Sequence, residues 1–204
     1  MTMGLKANAD GSGAIQVGGS DAISISTGLN TTFAGTVQAS GVATNLYPLV
    51  RGTAQTAPPT VPQYFEFTGI PSWVRRITVM FNGVSLSGTT AFLFQLGTSG
   101  GVVTSGYAGG GMRVGGSTVA AASFINGFST NNATANANYG GNIIFTNVSG
   151  NIWSASGVLG TSGGVESAAM TGGSVSLSGT LDRIRITTTG SDTFDAGSIN
   201  ILYE

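Results

Sequence analysis

Short apolar runs recur along this chain, and Gly, Ser, Thr and Asn separate them. None of the runs continues with the period of an amphipathic helix, and several alternate apolar with polar residues, as half-buried strands do. Arg183 and Arg185 alternate with Ile184 and Ile186, so one side of that strand faces water and the other faces a core. The pattern predicts an all-β fold: a jelly-roll-like β-sandwich with a small N-terminal β appendage.

The composition indicates an ordered chain in spite of its 34 glycines. Apolar residues occupy 41% of the 204 positions, whereas disordered chains combine low hydrophobicity with high net charge. The glycines therefore indicate many tight turns, and the length suffices for one large domain with a substantial core. The apolar runs of that domain are Phe65 with Phe67, 77–81, 92–96, 143–145, 152–153, Ile184 with Ile186, and Ile199 and Ile201 with Tyr203.

The N-terminal residues show the same alternation in smaller units. Ile15 and Val17, and likewise Ile23 and Ile25, fall on a period of two between clusters of turn residues. Hairpins this small do not bury enough apolar area to be stable alone. We therefore expect residues 1–45 to form an N-terminal β arm or attachment segment that is stable only against the body of the protein or against other copies.

Proline marks a boundary after this arm. Four of the five prolines fall between residues 48 and 62, with Ala, Gln and Thr among them. Their fixed φ angles favour an extended spacer. We therefore predict a Pro-rich spacer at 46–62 and a β-sandwich domain at 63–204.

Two short sequences occur twice. Val-Ser-Leu-Ser-Gly-Thr stands at 84–89 and 175–180, and Leu-Gly-Thr-Ser-Gly-Gly-Val stands at 96–102 and 159–165. Their order is swapped between the two halves, which excludes a tandem repeat. Reuse of a good turn sequence is favoured over internal pseudo-symmetry, since Gly-Ser-Thr turns arise easily.

The chain contains no His and no Cys, and only 7% of its residues are charged. Most catalytic sites depend on those side chains, so we predict no catalytic, cofactor-binding or metal-binding residues and no enzymatic activity. The net charge of −1 offers no basic surface for nucleic acid. No run of about 18 apolar residues is present, so we expect no membrane insertion.

Residues 97–101 and 160–164 both match the nucleophile-elbow pattern G-x-S-x-G. An elbow serine needs a base, and the chain has no His and a single lysine, Lys6 in the N-terminal arm. We therefore interpret both segments as turns.

Glycosidase chemistry needs two carboxylates, and the body offers Glu66, Glu166, Asp182, Asp192 and Asp195. Asp192 and Asp195 lie three residues apart among Gly, Ser and Thr, where Asp usually hydrogen-bonds its own backbone. We interpret them as turn residues, because calcium requires several oxygen ligands at set spacing.

Three further features have a structural interpretation beside a functional one. The run 109–114 lacks the last glycine of a phosphate-binding loop and is interpreted as a flexible turn. The Asn-rich stretch 126–142, with Tyr139, offers amide and aromatic contacts to a glycan, but a solvated loop is preferred. Trp73 and Trp153 adjoin apolar strands and are expected in the core or at a subunit interface.

Six segments at the two ends and in the middle of the chain share one character: Lys-Ala-Asn-Ala-Asp-Gly-Ser-Gly-Ala-Ile-Gln-Val at 6–17, then 22–25, 77–85, 95–107, 181–186 and 194–204. They resemble segments of fibre and virion surface proteins of tailed bacteriophages, and the likeness extends over most of the chain. The resemblance implies a β-rich, usually trimeric part of the particle exterior and brings no catalytic residues with it. A typical tail fibre carries a sizeable N-terminal attachment domain, whereas the fibre-like motif here starts almost at Met1.

We therefore expect a non-enzymatic structural protein on the exterior of a phage particle, assembled in the host cytoplasm. The preferred type is a homotrimeric capsid decoration protein, a cement or head-fibre protein whose arm adds to the shell by β-augmentation. The expected partners are other copies, virion proteins such as the major capsid protein or tail components, and a host surface glycan. The alternative is a tail-fibre adhesin, with a capsule-degrading glycosidase as a third hypothesis.

Overall fold

The computed structural model describes residues 3–7, 13–17, 20–25, 31–33, 37–39, 42–44, 48–57, 63–131, 134–135, 137–163 and 167–204. The chain divides into two compact units, Met1–Pro48 and Leu49–Glu204. The described residues form strands and no helix, so the all-β prediction is confirmed. The strands are β1 (Met3–Ala7), β2 (Gly13–Val17), β3 (Ser20–Ile25), β4 (Thr31–Phe33), β5 (Val37–Ala39), β6 (Val42–Thr44), β7 (Val50–Arg51), β8 (Gln55–Thr56), β9 (Phe65–Phe67), β10 (Arg76–Leu86), β11 (Phe92–Thr98), β12 (Gly101–Val102), β13 (Ala108–Gly115), β14 (Thr118–Ser123), β15 (Phe128–Ser129), β16 (Asn138–Ser149), β17 (Ile152–Ser162), β18 (Ser167–Ser176), β19 (Arg183–Thr188) and β20 (Phe194–Tyr203).

The N-terminal unit contains a four-stranded antiparallel sheet in the order β1-β2-β3-β4 and a separate pair, β5 with β6. Ile15 lies opposite Ile23 in this sheet. The apolar residues that recur with a period of two therefore predicted β2 and β3. Their short length follows from the turn residues that flank them.

The larger unit is a β-sandwich of two antiparallel sheets. The large sheet has the order β14-β13-β18-β17-β16-β10-β20-β7, with β8 also paired to β20. The small sheet has the order β12-β11-β19-β9, with β15 also paired to β11. The sandwich prediction is confirmed, and its jelly-roll connectivity stays a prediction.

Alternating side chains from both sheets form the core. Ile184 and Ile186 of β19 are fully buried, and Arg183 and Arg185, which alternate with them, point away from the core. Aromatic rings fill the centre, with the ring of Phe92 at 4.9 Å from that of Tyr139 in an edge-to-face contact. Such a pair adds roughly 0.5–1.5 kcal/mol beyond the burial of apolar area.

Part of the proline-rich segment belongs to the sandwich. Val50–Arg51 and Gln55–Thr56 pair with β20, and Gly52 N and Ala57 N donate to Ile201 O and Gly197 O at 2.8 and 2.9 Å. These residues therefore cover one edge of the large sheet, because its backbone groups need partners. Residues 58–62, with three of the prolines, lie outside the described residues.

The repeated sequence Val-Ser-Leu-Ser-Gly-Thr marks two corners of the sandwich. The copy at 84–89 connects β10 of the large sheet to β11 of the small sheet, and the copy at 175–180 connects β18 to β19 in the same way. Its Val and Leu are buried in both copies. The sequence suits a crossing between layers because two alternate apolar residues stay in the core while Ser and Gly turn the chain.

Candidate functional site

The two G-x-S-x-G segments are turns or strand ends, not nucleophile elbows. Ser99 and Gly100 form the two-residue connection of the hairpin between β11 and β12, where Thr98 lies opposite Gly101. In the second copy Ser162 is the last residue of β17. No helix follows Ser99, so its hydroxyl lacks the strand-to-helix setting of an elbow as well as a base.

Two of the candidate carboxylates are held by neighbouring arginines on the outer side of the small sheet. Arg185 Nη2 lies 2.9 Å from Glu66 Oε1, and Arg183 Nη2 lies 3.2 Å from Asp182 Oδ2. The guanidinium of Arg185 also lies 3.9 Å from the centre of the Tyr64 ring. The Glu66 contact joins β9 to β19, and the Asp182 contact joins two neighbouring residues at the start of β19.

The side chain of Asp192 accepts a hydrogen bond from a segment that is distant in sequence, and not from its own turn. Its Oδ2 accepts a hydrogen bond from Thr90 N at 2.7 Å, across 102 residues of sequence. Asp195 is an exposed residue of β20, so the structure does not place it in a turn as the sequence suggested. Glu166 lies outside the described residues.

The glycine run 109–114 is a strand, so its interpretation as a flexible turn is wrong. It lies within β13, between β14 and β18. A Cβ at Gly109 would meet the backbone oxygen of Gly172, and one at Gly111 would meet that of Ser129. The glycines allow backbones to approach closely, which is a packing role and not a conformational one.

The Asn-rich stretch 126–142 is also more buried than a solvated loop. Its residues 128–129 form β15, and Thr130 and Asn131 are buried. Tyr139 is fully buried, and its hydroxyl accepts a hydrogen bond from Thr134 N at 2.7 Å. Tyr139 therefore cannot contact a glycan from this position. The polar composition of this stretch did not reveal that several of its residues are buried.

The tryptophans lie where apolar strands predicted them. Trp153 is a buried core residue of β17. Trp73 is partly buried against the core, with its ring 6.0 Å from that of Tyr203.

A different surface emerges on the outer side of the large sheet. Strands β16, β17, β18, β13 and β14 together contain one charged residue, Arg113, and it lies in register with buried Ala169, on the core side of the sheet. We call the outward side of these five strands the neutral face. Its large apolar side chains include Ile144, Val158 and Val119, which are 36%, 49% and 65% exposed.

The neutral face has a ridge beside a trench. Val158, Met170 and Met112 lie side by side in register on β17, β18 and β13, and form the ridge. Two residues further along the same strands, Ser156, Gly172 and Gly110 lie side by side and form the trench. A groove of about 570 Å³ lies over the glycine part of this trench. It exists because two opposed glycines leave no side chains on its floor.

The groove has an apolar, uncharged lining. Its walls include Met112 and Met170 on the ridge side and Ala121 and Ser123 at the β14 edge. Among the described residues no three Asp, Glu, His or Cys side chains cluster as metal ligands. The described part of the chain also contains no helix with the length and apolar character that a membrane span requires.

Comparison with known protein families, curated proteins and solved structures found no match.

The neutral face was not predicted from the sequence, although one signal for it was present. No Asp, Glu, Lys or Arg occurs between Arg113 and Glu166, a stretch that supplies the whole of β14, β16 and β17 of this sheet. Along β17 the residues Ile152 and Val158 alternate with buried Trp153 and Leu159, so both sides of that strand carry large apolar groups. A strand that is apolar on both sides indicates cover on both sides.

Proposed function

We propose that this chain is a non-enzymatic structural protein on the exterior of a bacteriophage particle, a homotrimeric capsid decoration protein of cement or head-fibre type. The observation that carries the structural role is the neutral face, a broad uncharged surface with exposed Ile and Val on five strands of the large sheet. Exposed apolar patches of this kind mark interaction surfaces. The assignment to a phage particle is supported by the sequence resemblance.

The state of the carboxylates supports a non-catalytic role. Glu66 and Asp182 face arginines, and Asp192 accepts a backbone hydrogen bond from a distant turn. Each of these contacts has a structural purpose in the sandwich. The glycosidase hypothesis would require two such groups to flank one sugar-binding cleft.

The test of location is to purify the phage particles that encode this chain, identify their proteins by mass spectrometry, and count copies against the major capsid protein. A copy number that matches the shell lattice supports decoration. A few trimers at one vertex would support the tail-fibre adhesin instead. Absence from the particle contradicts both.

Native mass spectrometry of the purified chain tests the trimer, and only monomer at micromolar concentration contradicts it.

The test of the enzyme hypothesis is separate. The purified chain is incubated with host polysaccharide, and the product length is measured. We expect no shortening. Shortening that is abolished by Asp192→Asn or Glu166→Gln, while the variants remain folded, would show that the chain is a glycosidase.

A further inference from the structure

We propose that the neutral face is a self-association surface, and that its occupant is the same face of a second copy of this chain. The inference deepens the proposed structural role by naming the partner of this surface. It rests on three observations: the absence of charge, the ridge beside the trench, and the size of the face.

Charge favours a copy of the chain over other partners. When a surface meets itself across a twofold axis, a charged group near that axis faces its own copy, and this repulsion opposes association. The five strands of the neutral face place no described charged side chain outward. The outer side of the small sheet differs, because Arg183 and Arg185 lie there with their acidic partners.

Shape gives the geometry of the contact. The ridge of Val158, Met170 and Met112 and the trench of Ser156, Gly172 and Gly110 are two residues apart along the same strands, which is about 7 Å. A twofold axis that lies in the interface, between ridge and trench, brings the ridge of each copy over the trench of the other. Two surfaces related in this way are complementary to themselves, as an isologous contact requires.

The side chains at this contact suit the role. Methionine is unbranched and adapts its shape to a partner surface. Met170 of one copy would lie over Gly172 of the other, and the groove above the two glycines provides the space. Val158 and Ile144, both exposed, lie on neighbouring strands beside it and would be covered by the same contact.

The size of the face is sufficient. Five strands about 4.8 Å apart and roughly seven residues long, at about 3.3 Å per residue, give a projected area of about 550 Å². The accessible surface of protruding side chains exceeds the projected area, so the face approaches the ~600 Å² per partner at which stable interfaces begin. A homotrimer formed around another axis leaves this contact free to join neighbouring trimers. The proposal therefore concerns the contact and not the total number of copies.

The experiment uses the purified full chain and a single introduced thiol, since the chain has no native cysteine. Ser156→Cys places the thiol in the trench, and Thr68→Cys places one at an exposed position after β9 of the small sheet. Each variant is treated with a short bis-maleimide and run on a denaturing gel. We expect a two-chain product from Ser156→Cys and at least tenfold less from Thr68→Cys.

Filling the trench tests the geometry. A Cβ at Gly172 has its nearest neighbour, Ala155 O, at 3.7 Å, so the sandwich itself accommodates Gly172→Val. In the Ser156→Cys background this substitution should reduce the two-chain product at least tenfold. The matched control is Gly100→Val in the exposed hairpin of the small sheet, where the nearest atom to a Cβ is Thr98 Oγ1 at 3.5 Å. It should leave the product unchanged, and circular dichroism should show both variants folded.

Two results overturn the proposal. One is an equal yield of product from Ser156→Cys and Thr68→Cys, or a yield that Gly172→Val does not reduce. The other is an introduced thiol in the Ser156→Cys variant that reacts freely in the purified chain and is protected only on the assembled particle, because another protein then covers the face. The cross-linking result does not depend on the virion assignment, which is tested separately by the composition of the particle.

Discussion

Arg185 and Glu66 lie directly opposite each other on β19 and β9, where Arg185 Nε donates a hydrogen bond to Glu66 Oε1 at 3.1 Å and Nη2 lies 2.9 Å from the same oxygen. The side chains are 25% and 19% exposed, so water screens the pair only in part. The contact ties the edge strand β9 to the small sheet. The two residues are 119 positions apart in the sequence, and no local pattern pairs them.

We expect a double-mutant cycle on Glu66→Gln and Arg185→Met to give a coupling energy of about 1 kcal/mol, the upper end for pairs near the surface. The measurement is the free energy of unfolding from urea titration. Arg76 and Glu204 form the control pair, because their side chains are 54% and 38% exposed. The same cycle there should give a smaller coupling, and equal values for the two pairs would contradict the role of burial.

The buried phenol of Tyr107 should make the stability of the fold depend on pH in the alkaline range. Burial raises the pKa of its phenol to about 12, although a hydrogen bond from Leu96 N at 2.8 Å acts in the opposite direction. The pKa of the Tyr107 phenol is higher in the folded chain than in the unfolded chain, where it is about 10. The neutral phenol therefore contributes its full share to the free energy of unfolding below pH 10, and this contribution is lost as the pH rises to 12. Two pKa units correspond to about 3 kcal/mol at most.

Tyr107→Phe should remove this dependence. At neutral pH the variant should be less stable by about 1–3 kcal/mol, because Leu96 N and Val103 O lose their partner. Between pH 10 and 12 its stability should fall less steeply than that of the unmodified chain. Denaturation curves at several pH values measure both slopes, and parallel curves would mean that Tyr107 does not titrate as proposed.

Glycines of the large sheet should differ sharply in their tolerance of a methyl group. A Cβ at Gly111 would meet Ser129 O and lie 2.7 Å from Asn131 N, and backbone atoms do not move aside easily. Gly111→Ala should therefore destabilise the fold by about 3 kcal/mol. Gly160→Ala has no atom within 4 Å of its Cβ and should be neutral or slightly stabilising. Equal melting temperatures for the two variants would contradict the close approach of β13 and β15.

Gly88 and Asp192 should behave as a coupled pair. The carboxylate of Asp192 occupies the space that a Cβ at Gly88 would need, and the same carboxylate accepts from Thr90 N. Each single substitution to alanine should cost roughly 1–3 kcal/mol, by overlap in one case and by loss of a hydrogen bond in the other. In the Asp192→Ala background Gly88→Ala should cost almost nothing, which thermal denaturation of all four proteins can establish. Additive costs would rule out the contact.

Local patterns predicted the elements of this protein well. The alternation of Arg183 to Ile186 identified a strand with one buried side, and the structure buries Ile184 and Ile186 as expected. The strands around Ile15 and Ile23 follow from the same period. These predictions succeed because the period of a strand, and the turn residues that end it, are properties of neighbouring residues.

The sequence by itself determined an all-β chain with a short turn sequence used twice and with neither His nor Cys, whereas the tertiary structure decided which surfaces those strands present. The glycine run 109–114 became a strand because β18 and β14 pair with it, and Tyr139 became a core residue because β16 lies inside the large sheet with that side chain on its core side. The neutral face arises in the same way: Gly110 meets Gly172, and Met112 meets Met170, only through the register of strands far apart in sequence. Register depends on packing and hydrogen bonding across the whole sheet, and no local window of residues contains it.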